Sequence, residues 1–399
     1  MNEPAPRPGP READVPATDV LAAIRGLAPT IRRRASEIEK ARRLPADLAQ
    51  SLARLGLFRM AVPREIGGLE LEPAVLLQAI EAVGAADASV GWCVMIGATS
   101  GVNAAYLPTE VAREIFGPAE VIAGGVFAPM GRAAVDGDDY VLSGRWSWAS
   151  GSANCHWLIA GSIITENGAP RILPNGTPED RKLIFPAGAA TLVDSWHATG
   201  LCGTGSGEME VANLRVPRVR SVSYAGDRPT AAGALYAFPV FGLLALGIAA
   251  VTLGNARSAI DDLVELADGK KPQGSQRTLG QRGTTQAAVA VAEGSLRSAR
   301  AFFGEAVAEA WEAAQRTGVV DPRQRAALRL AATHATRTSA EVTRSMYDLG
   351  GGSSVFLSSP LQRRFRDAHV ATQHLMVSPP TYELAGRVLL GLPTDIGQL

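Results

Sequence analysis

The spacing of apolar residues divides the chain into regions of different secondary structure. From residue 19 to 122, apolar side chains recur every three or four positions, as Val20, Ile24 and Ile31 do, with charged residues between them. That period is typical of amphipathic helices, so this region is predicted to be a helical domain. Residues 1–18, which are rich in proline and charge, are predicted to form a disordered tail.

The period changes in the middle of the chain and then changes back. Between residues 123 and 228, short β-type runs such as YVL and RWSWA alternate with turn residues, among them Asp136-Gly137 and Ser143-Gly144. This meander predicts a barrel or sandwich of about seven or eight strands.

Residues 229–399 return to helical periodicity. Four long segments, residues 241–267, 284–316, 321–349 and 360–376, predict an up-down bundle, and a short helix follows Pro380. The predicted fold class is therefore mainly α with a middle β domain.

Composition and charge exclude several classes of function. The chain has 39 Lys and Arg residues and 39 Asp and Glu residues, and this balance gives no sign of affinity for nucleic acid or an anionic membrane. The most apolar stretch, residues 239–253, is shorter than the roughly 18 residues that cross a bilayer and is predicted to be a buried helix. Cys93, Cys155 and Cys202 lack C-x-x-C spacing, which predicts no metal site and a reducing, cytoplasmic location.

Five sequence phrases, in this order along the chain, carry a resemblance to a known family. They are VPREIGG, AADASVGW, SGRWSWASGSANCHW, ATGLCGTGSGEMEVANLRVP and RRFRDA. Together with the order of domains, they make residues 20 to 392 resemble the acyl-CoA dehydrogenase superfamily. The resemblance implies an N-terminal helical domain, a β-barrel and a C-terminal four-helix bundle, assembled as a homotetramer, with flavin between barrel and bundle.

The superfamily contains two chemistries, and a dehydrogenase needs a carboxylate that removes a proton next to a thioester carbonyl. Family members place it either eight residues after the Asp of the R-D-A motif or on the first bundle helix. The first position is Leu375 here, and no Asp or Glu lies between Asp227 and Asp261 at the second. Glu383 is the nearest later carboxylate, but it follows a Pro-Pro pair that would break a helix carrying it.

A histidine instead stands where the flavin-dependent monooxygenase branch carries its catalytic histidine. His374 follows Asp367 by seven residues, so on one helix the two would project on nearly the same side, with Arg363 a turn earlier. The resemblance implies that His374 is the acid/base or peroxide-positioning group and that Asp367 and Arg363 orient its helix. Spacing alone also allows a buried histidine bonded to a backbone carbonyl. His369 points away and is predicted to be structural or at a subunit contact.

The motif SGRWSWASG is the second site element. Strand alternation predicts Trp146 and Trp148 on one face, with Ser150 following on the same side. The resemblance implies that Trp148 packs against the flavin ring and that Ser150, by donating or accepting, bonds flavin N5 and takes part in catalysis. Core packing for the tryptophans and a turn for Ser150 are the alternatives.

Further flavin contacts are predicted along the chain. Phe127 matches the strand that lines the flavin, and Arg277 and Gln286 are offered where dehydrogenases hold FAD, although at a shorter spacing. Gly351 and Gly352 match the loop that meets the flavin phosphate or a neighbouring subunit, and a flexible hinge is equally open. FMN and FAD are both compatible with these residues.

The resemblance thus implies the oxygenase component of a two-component flavin-dependent monooxygenase. A separate NAD(P)H-dependent reductase supplies FMNH2 or FADH2, and with O2 a flavin hydroperoxide forms that hydroxylates an aromatic or polyketide-like small molecule. Trp92, Met95 and Val126 are predicted to line the apolar substrate pocket. Three alternatives stay open: an atypical acyl-CoA dehydrogenase with FAD and a relocated base, an N-oxygenase of an amine, and a non-catalytic scaffold.

Overall fold

The computed structural model describes residues 17–397 and 399. Five helices form the N-terminal region: α1 (Ala17–Ala41), α2 (Ala46–Arg54), α3 (Pro73–Ala86), α4 (Ala88–Ser100) and α5 (Thr109–Phe116). The predicted tail lies outside the described residues up to residue 16, and its last two residues, 17 and 18, belong to α1. Asp87 caps α4, because its side chain accepts hydrogen bonds from the Ser89 and Val90 amides.

A single sheet of eight strands follows. The strands are β1 (Ala123–Asp136), β2 (Asp139–Trp146), β3 (Trp157–Glu166), β4 (Ala169–Pro170), β5 (Asp180–Pro186), β6 (Thr191–Val193), β7 (Glu208–Pro217) and β8 (Ser221–Val222). Their order is β6-β7-β2-β1-β3-β5-β8, with β4 beside β3. The β1–β3 pair is parallel and the other pairs are antiparallel. The middle β domain and its number of strands are confirmed, whereas its closure into a barrel or sandwich stays a prediction.

Only one of the two predicted hairpin turns exists. Gly137, with a φ of 58°, sits in the turn between β1 and β2. Ser143-Gly144 lies inside β2, where the pairing with β7 shifts its register. Gly144 is required there by close packing, because a Cβ would lie 2.7 Å from the Gly131 backbone.

The C-terminal region is a helical bundle. Its helices are α6 (Val240–Gly269), α7 (Gly283–Thr317), α8 (Pro322–Gly350), α9 (Pro360–Ala371) and α10 (Pro380–Leu389). Helix α6 lies at its centre and also packs on α3 and α4. In the described part of the chain, α6 alone is long and apolar enough to cross a membrane, and most of that apolar stretch is buried inside the protein.

The mainly α fold class with a middle sheet is confirmed, and the first three bundle segments are predicted to within a few residues. The fourth is wrong at its end, because α9 stops at Ala371 and not at residue 376. The backbone turns extended at His374, and the His374 ring accepts the Met376 N–H in place of a helical bond. The domain limits at residues 19–122, 123–228 and 229–399 stay predictions.

Candidate functional site

Strand β2 ends at Trp146, and the loop after it separates the two tryptophans of the motif. Trp146 is fully buried, and its indole N–H donates to the Gly161 carbonyl at 2.7 Å. Trp148 is 61% exposed, and its φ is 65°. The prediction that both share one face is therefore wrong, because the alternation ends with the strand. A positive φ strains an aromatic residue, and such strain is concentrated at ligand sites.

Ser150 is buried just after this loop, at the start of a chain of three hydroxyl groups. Its Oγ accepts a hydrogen bond from Trp92 Nε1 at 3.2 Å and lies 2.6 Å from Ser206 Oγ. Ser206 Oγ in turn lies 2.6 Å from Thr204 Oγ1. Thr204 and Ser206 lie in the segment between β6 and β7. A backbone hydrogen bond joins this segment to the loop after β2, since the Gly151 N–H donates to the Thr204 carbonyl at 2.8 Å. Ser150 therefore does more than form a turn.

His374 approaches the same place from the bundle. Its ring meets Trp92 edge to face, with the ring centroids 5.8 Å apart. Its Nδ1 accepts a hydrogen bond from the Met376 backbone N–H at 3.3 Å. Because an N–H can only donate, Nδ1 carries no proton, and the neutral ring keeps its proton on Nε2. The alternative of a histidine bonded to a carbonyl is not the arrangement found.

The surroundings of His374 keep its ring neutral. Burial lowers the pKa of His374 to about 4, and the positive charge of Arg329 acts in the same direction. Arg329, on α8, is itself buried and donates from Nη2 to the Met376 carbonyl at 3.2 Å. Burial lowers the pKa of Arg329 to about 10. Arg329 could not be singled out from the sequence, because one arginine within a helix rich in arginines gives no signal.

Asp367 supports the side of the site that belongs to the β domain. Its Oδ1 accepts a hydrogen bond from the Leu201 backbone N–H at 2.6 Å. Burial, and then the neighbouring carboxylate of Asp87, raise the pKa of Asp367 to about 7. The prediction that one helix presents Asp367 and His374 together is wrong, because α9 ends before His374.

The two other α9 residues singled out from the sequence contact different partners. Arg363 Nη1 lies 3.8 Å from Glu39 Oε2 on α1, so it ties α9 to the N-terminal region. His369 Nδ1 is 2.9 Å from the Phe365 carbonyl, and its ring packs against the Phe365 ring at 4.3 Å between centroids. His369 also lines a cavity of about 480 Å³ with residues of α7 and α8.

The predicted substrate residues are closely packed. Trp92, Met95 and Val126 are all buried. Met95 fills the contact between α4 and α6, because a Cβ on Gly247 would lie 2.5 Å from its Cγ. The cavity next to Ser150 is lined by none of these three residues, and its volume of about 10 Å³ is far too small for an aromatic substrate. Of this group, only Trp92 is brought to Ser150 and His374.

The remaining predicted flavin contacts lie elsewhere. Arg277 and Gln286 are exposed in and after the connection between α6 and α7, and Gly351 and Gly352 are exposed after α8. Lys270, at the end of α6, donates to the carbonyl that precedes this glycine loop. A cation beside a glycine-rich loop is suited to a phosphate.

Phe127 is half-buried at β1, and its ring packs against Tyr224 at 5.9 Å between centroids.

The loop and the bundle together suit a large, flat, heteroaromatic ring. The exposed Trp148 indole offers a stacking face, and the Ser150 hydroxyl two residues later offers a hydrogen bond to a ring nitrogen. His374 adds a neutral imidazole whose Nε2–H has no hydrogen-bond partner among residues 17–397. These are the groups that would hold and serve an isoalloxazine ring.

Comparison with known proteins agrees with this fit. Residues 21–114 match the family model "Acyl-CoA dehydrogenase, N-terminal domain", and residues 246–379 match "Acyl-CoA dehydrogenase, C-terminal domain". An indole-3-acetate monooxygenase from Pseudomonas putida is 35% identical over 362 residues, which are 90% of each chain. The oxygenase subunit HsaA of a flavin-dependent monooxygenase from Mycobacterium tuberculosis is 28% identical and covers 94% of this chain and 96% of its own. A crystal structure of the M. tuberculosis HsaA monooxygenase superposes with a TM-score of 0.87 at 26% identity, over 96% of this chain and 100% of that one.

Proposed function

The chain belongs to the flavin-dependent monooxygenase branch of the acyl-CoA dehydrogenase family, and we propose that it is an oxygenase component that hydroxylates an aromatic small molecule. The cluster of Ser150, Trp92 and His374 carries this proposal. Within residues 17–397, the hydrogen bonds of these three side chains involve no carboxylate. The family's dehydrogenase position, Leu375, is 59% exposed, and Glu383 is exposed in the first turn of α10. The geometry therefore favours the oxygenase over a dehydrogenase with a relocated base.

Reduced flavin, when bound, supplies the two electrons with which O2 delivers one oxygen atom to a substrate C–H bond and the other to water. Trp148 would provide the face on which the ring stacks, and Ser150 the hydrogen bond to N5. Asp367 positions the loop at Leu201 and does not act on substrate. FMNH2 and FADH2 both suit these contacts, with O2 as co-substrate.

His374 acts as a hydrogen-bond donor in this proposal. Its Nδ1 lone pair is engaged by the Met376 N–H, and its pKa is about 4, so it is a poor base at neutral pH. Its Nε2 holds the proton and is the nitrogen available to an oxygen atom of the bound reactants. Of the two roles expected for His374, the geometry supports positioning over proton removal.

An aromatic substrate is supported by the names of the relatives, which include two indole-3-acetate monooxygenases and a resorcinol hydroxylase. Trp92, Met95, Val126 and Phe127 stay proposed lining residues. Because Trp92, Met95 and Val126 are buried, the substrate space is proposed to open as the ligands bind.

A separate NAD(P)H-dependent reductase is proposed to supply the reduced flavin. A homotetramer is supported by a run of exposed apolar side chains after α8, Val355, Phe356 and Leu357, which are 59, 64 and 80% exposed. Arg277, Gln286, Gly351 and Gly352 stay proposed contacts of the flavin's phosphate or adenosine part. A cytoplasmic location is supported by the three free cysteines.

The proposal is tested with chemically reduced FMN and FAD, 18O2 and a panel of indoles and phenols. We expect a product that carries one 18O atom, formed with wild-type protein and strongly reduced with His374→Ala. Flavin oxidation that runs identically with and without protein, and no labelled product from the panel, would overturn the assignment. Tightly bound oxidised FAD that acyl-CoA bleaches without oxygen would establish the dehydrogenase instead.

A further inference from the structure

We infer that Ser206 and Thr204 are positioning residues that fix the direction of the Ser150 hydroxyl, so that Ser150 accepts a hydrogen bond at the flavin ring and does not donate one. The inference rests on the proposed function for the presence of flavin. The hydroxyl chain itself is independent of that proposal. Either direction was open from the sequence, because a serine hydroxyl can donate or accept.

The direction follows from counting hydrogens. Thr204 Oγ1 lies 2.7 Å from the Leu201 carbonyl oxygen, and a contact this short between two oxygens needs a hydrogen between them. A carbonyl has none, so the single hydroxyl hydrogen of Thr204 lies there. The 2.6 Å contact between Thr204 and Ser206 must then be filled by the hydrogen of Ser206. By the same step, the 2.6 Å contact between Ser206 and Ser150 is filled by the hydrogen of Ser150.

Ser150 is left with lone pairs only. One of them accepts the Trp92 indole N–H, which can only donate. The other is available to the bound ring. Turning the Ser150 hydrogen towards the ring would reverse the whole chain and leave Thr204 facing the Leu201 carbonyl without a hydrogen. Ser150, Ser206, Thr204 and Leu201 are all buried, so water does not readily replace the lost hydrogen bond.

The carbonyl at the end of the chain is held firmly. The Leu201 oxygen also accepts the Trp196 indole N–H at 2.9 Å, while the Leu201 amide donates to Asp367. Leu201 has a φ of 49°, an unfavourable conformation for leucine that these bonds maintain. Asp367 thus acts on the site through Leu201, at the far end of the hydroxyl chain.

A Ser150 that only accepts distinguishes the two redox states of a flavin. N5 carries a hydrogen in reduced flavin and a lone pair in oxidised flavin. The Ser150 lone pair therefore attracts the reduced form and repels the oxidised form. For an oxygenase that receives reduced flavin from another protein, this favours capture of the reduced form and release of the oxidised one.

The experiment compares Thr204→Val, which removes the hydroxyl at similar volume, with Thr204→Ser, which keeps it. The dissociation constants of oxidised and anaerobically reduced FMN and FAD are measured for each protein by fluorescence titration. In wild type and Thr204→Ser, we expect tighter binding of reduced flavin. In Thr204→Val, we expect the ratio of the oxidised to the reduced constant to fall about tenfold, because Ser206 becomes free to donate to Ser150. A tenfold fall corresponds to a midpoint potential about 30 mV lower for a two-electron couple.

Ser206→Ala is a second variant that frees the Ser150 hydrogen, and it is expected to give the same fall if Thr204→Val does not fold. Ser152→Ala removes a buried hydroxyl that is not part of the Ser150–Ser206–Thr204 hydrogen-bond chain, and it is expected to keep the wild-type ratio of the two dissociation constants. An unchanged ratio in Thr204→Val and Ser206→Ala would overturn the inference, and so would an equal fall in Thr204→Ser. The proposed function stands in those cases as long as wild-type protein binds reduced flavin and hydroxylates its substrate. If wild-type protein binds neither form of flavin, the proposed function fails and the inference with it.

Discussion

His374 is expected to remain neutral over the whole pH range in which an enzyme of this kind works. Burial first, and the Arg329 charge second, lower its pKa from 6.5 to about 4. At about 1.4 kcal/mol for each pH unit, the gap is worth roughly 3 kcal/mol between the two protonation states. Since the folded pKa is the lower one, the unfolded chain binds more protons between pH 6.5 and pH 4. The folded state therefore loses stability as the pH falls through that window, by about 2 kcal/mol between pH 7.5 and pH 5.

His374→Asn tests this reasoning, because the amide oxygen can still accept the Met376 N–H while the side chain no longer titrates. The wild-type pKa is read from the pH dependence of hydrogen–deuterium exchange at the imidazole carbon, measured by mass spectrometry. Urea unfolding at pH 5 and pH 7.5 compares the two proteins. We expect a midpoint near 4 and a loss of stability between the two pH values that is about 2 kcal/mol greater for wild type than for the variant.

At pH 7.5 the ring is neutral in both states, so any difference in stability there measures packing alone. A midpoint of 6 or above, or parallel losses of stability in the two proteins, would refute the account of the His374 surroundings. Such a histidine could also accept protons from a phenol, and the donor role proposed for it would then fail.

Three further variants test other parts of the molecule. Trp148→Ala is expected to change the unfolding free energy by less than about 0.5 kcal/mol, because the side chain is exposed, and to weaken flavin binding about tenfold. A thermal melt checks the stability and fluorescence titration checks the affinity, and an unchanged affinity would contradict the stacking role. Asp367→Asn is expected to be more stable than wild type by an amount that grows as the pH rises from about 4 through 7, because the pKa of Asp367 is higher in the folded state than in the unfolded state. Urea unfolding of both proteins at pH 6 and pH 8 measures this, and an equal difference in unfolding free energy at the two pH values would be the contrary result. Gly254→Ala is expected to destabilise the folded protein by about 1–3 kcal/mol, because its Cβ would lie 2.1 Å from the Glu81 carbonyl oxygen. Denaturant titration measures this, with Gly269→Ala on the same helix as the control, because the Cβ there meets no atom within 4 Å.

The long helices were predictable because one stripe of apolar residues decides them. The predicted segment 241–267 corresponds to the helix Val240–Gly269, and 321–349 to Pro322–Gly350. The end of α9 was not predictable in this way. Apolar residues continue through Leu375 to Val377 at helical spacing, and the pattern does not show that the backbone turns extended at His374, whose ring accepts the Met376 N–H.

The site was predictable only where a family motif names its residues. Ser150, Trp148 and His374 were found through such motifs, whereas the polar groups that govern them come from other segments. Ser206 and Thr204 reach the site because the segment between β6 and β7, which carries them, packs against the loop after β2. No periodic pattern in the sequence indicates such a long-range contact. The available signal was the phrase GTGSG, which places two hydroxyl residues, both buried, between glycines that pack closely on other segments.

The fixed polarity of this cluster gives a positive reason for oxygenation, beyond the lack of a carboxylate. A dehydrogenase must accept a substrate proton in every turnover, which requires a free lone pair on a group that titrates near the working pH. Here the Ser150 hydroxyl has a free lone pair but does not titrate near neutral pH, the Trp92 indole can only donate, and the His374 lone pair is engaged by a backbone amide. None of these groups can take up the proton of a thioester. The same groups offer one acceptor and one neutral donor in fixed directions, and this arrangement can hold a reduced ring and an oxygen atom without removing a proton from either.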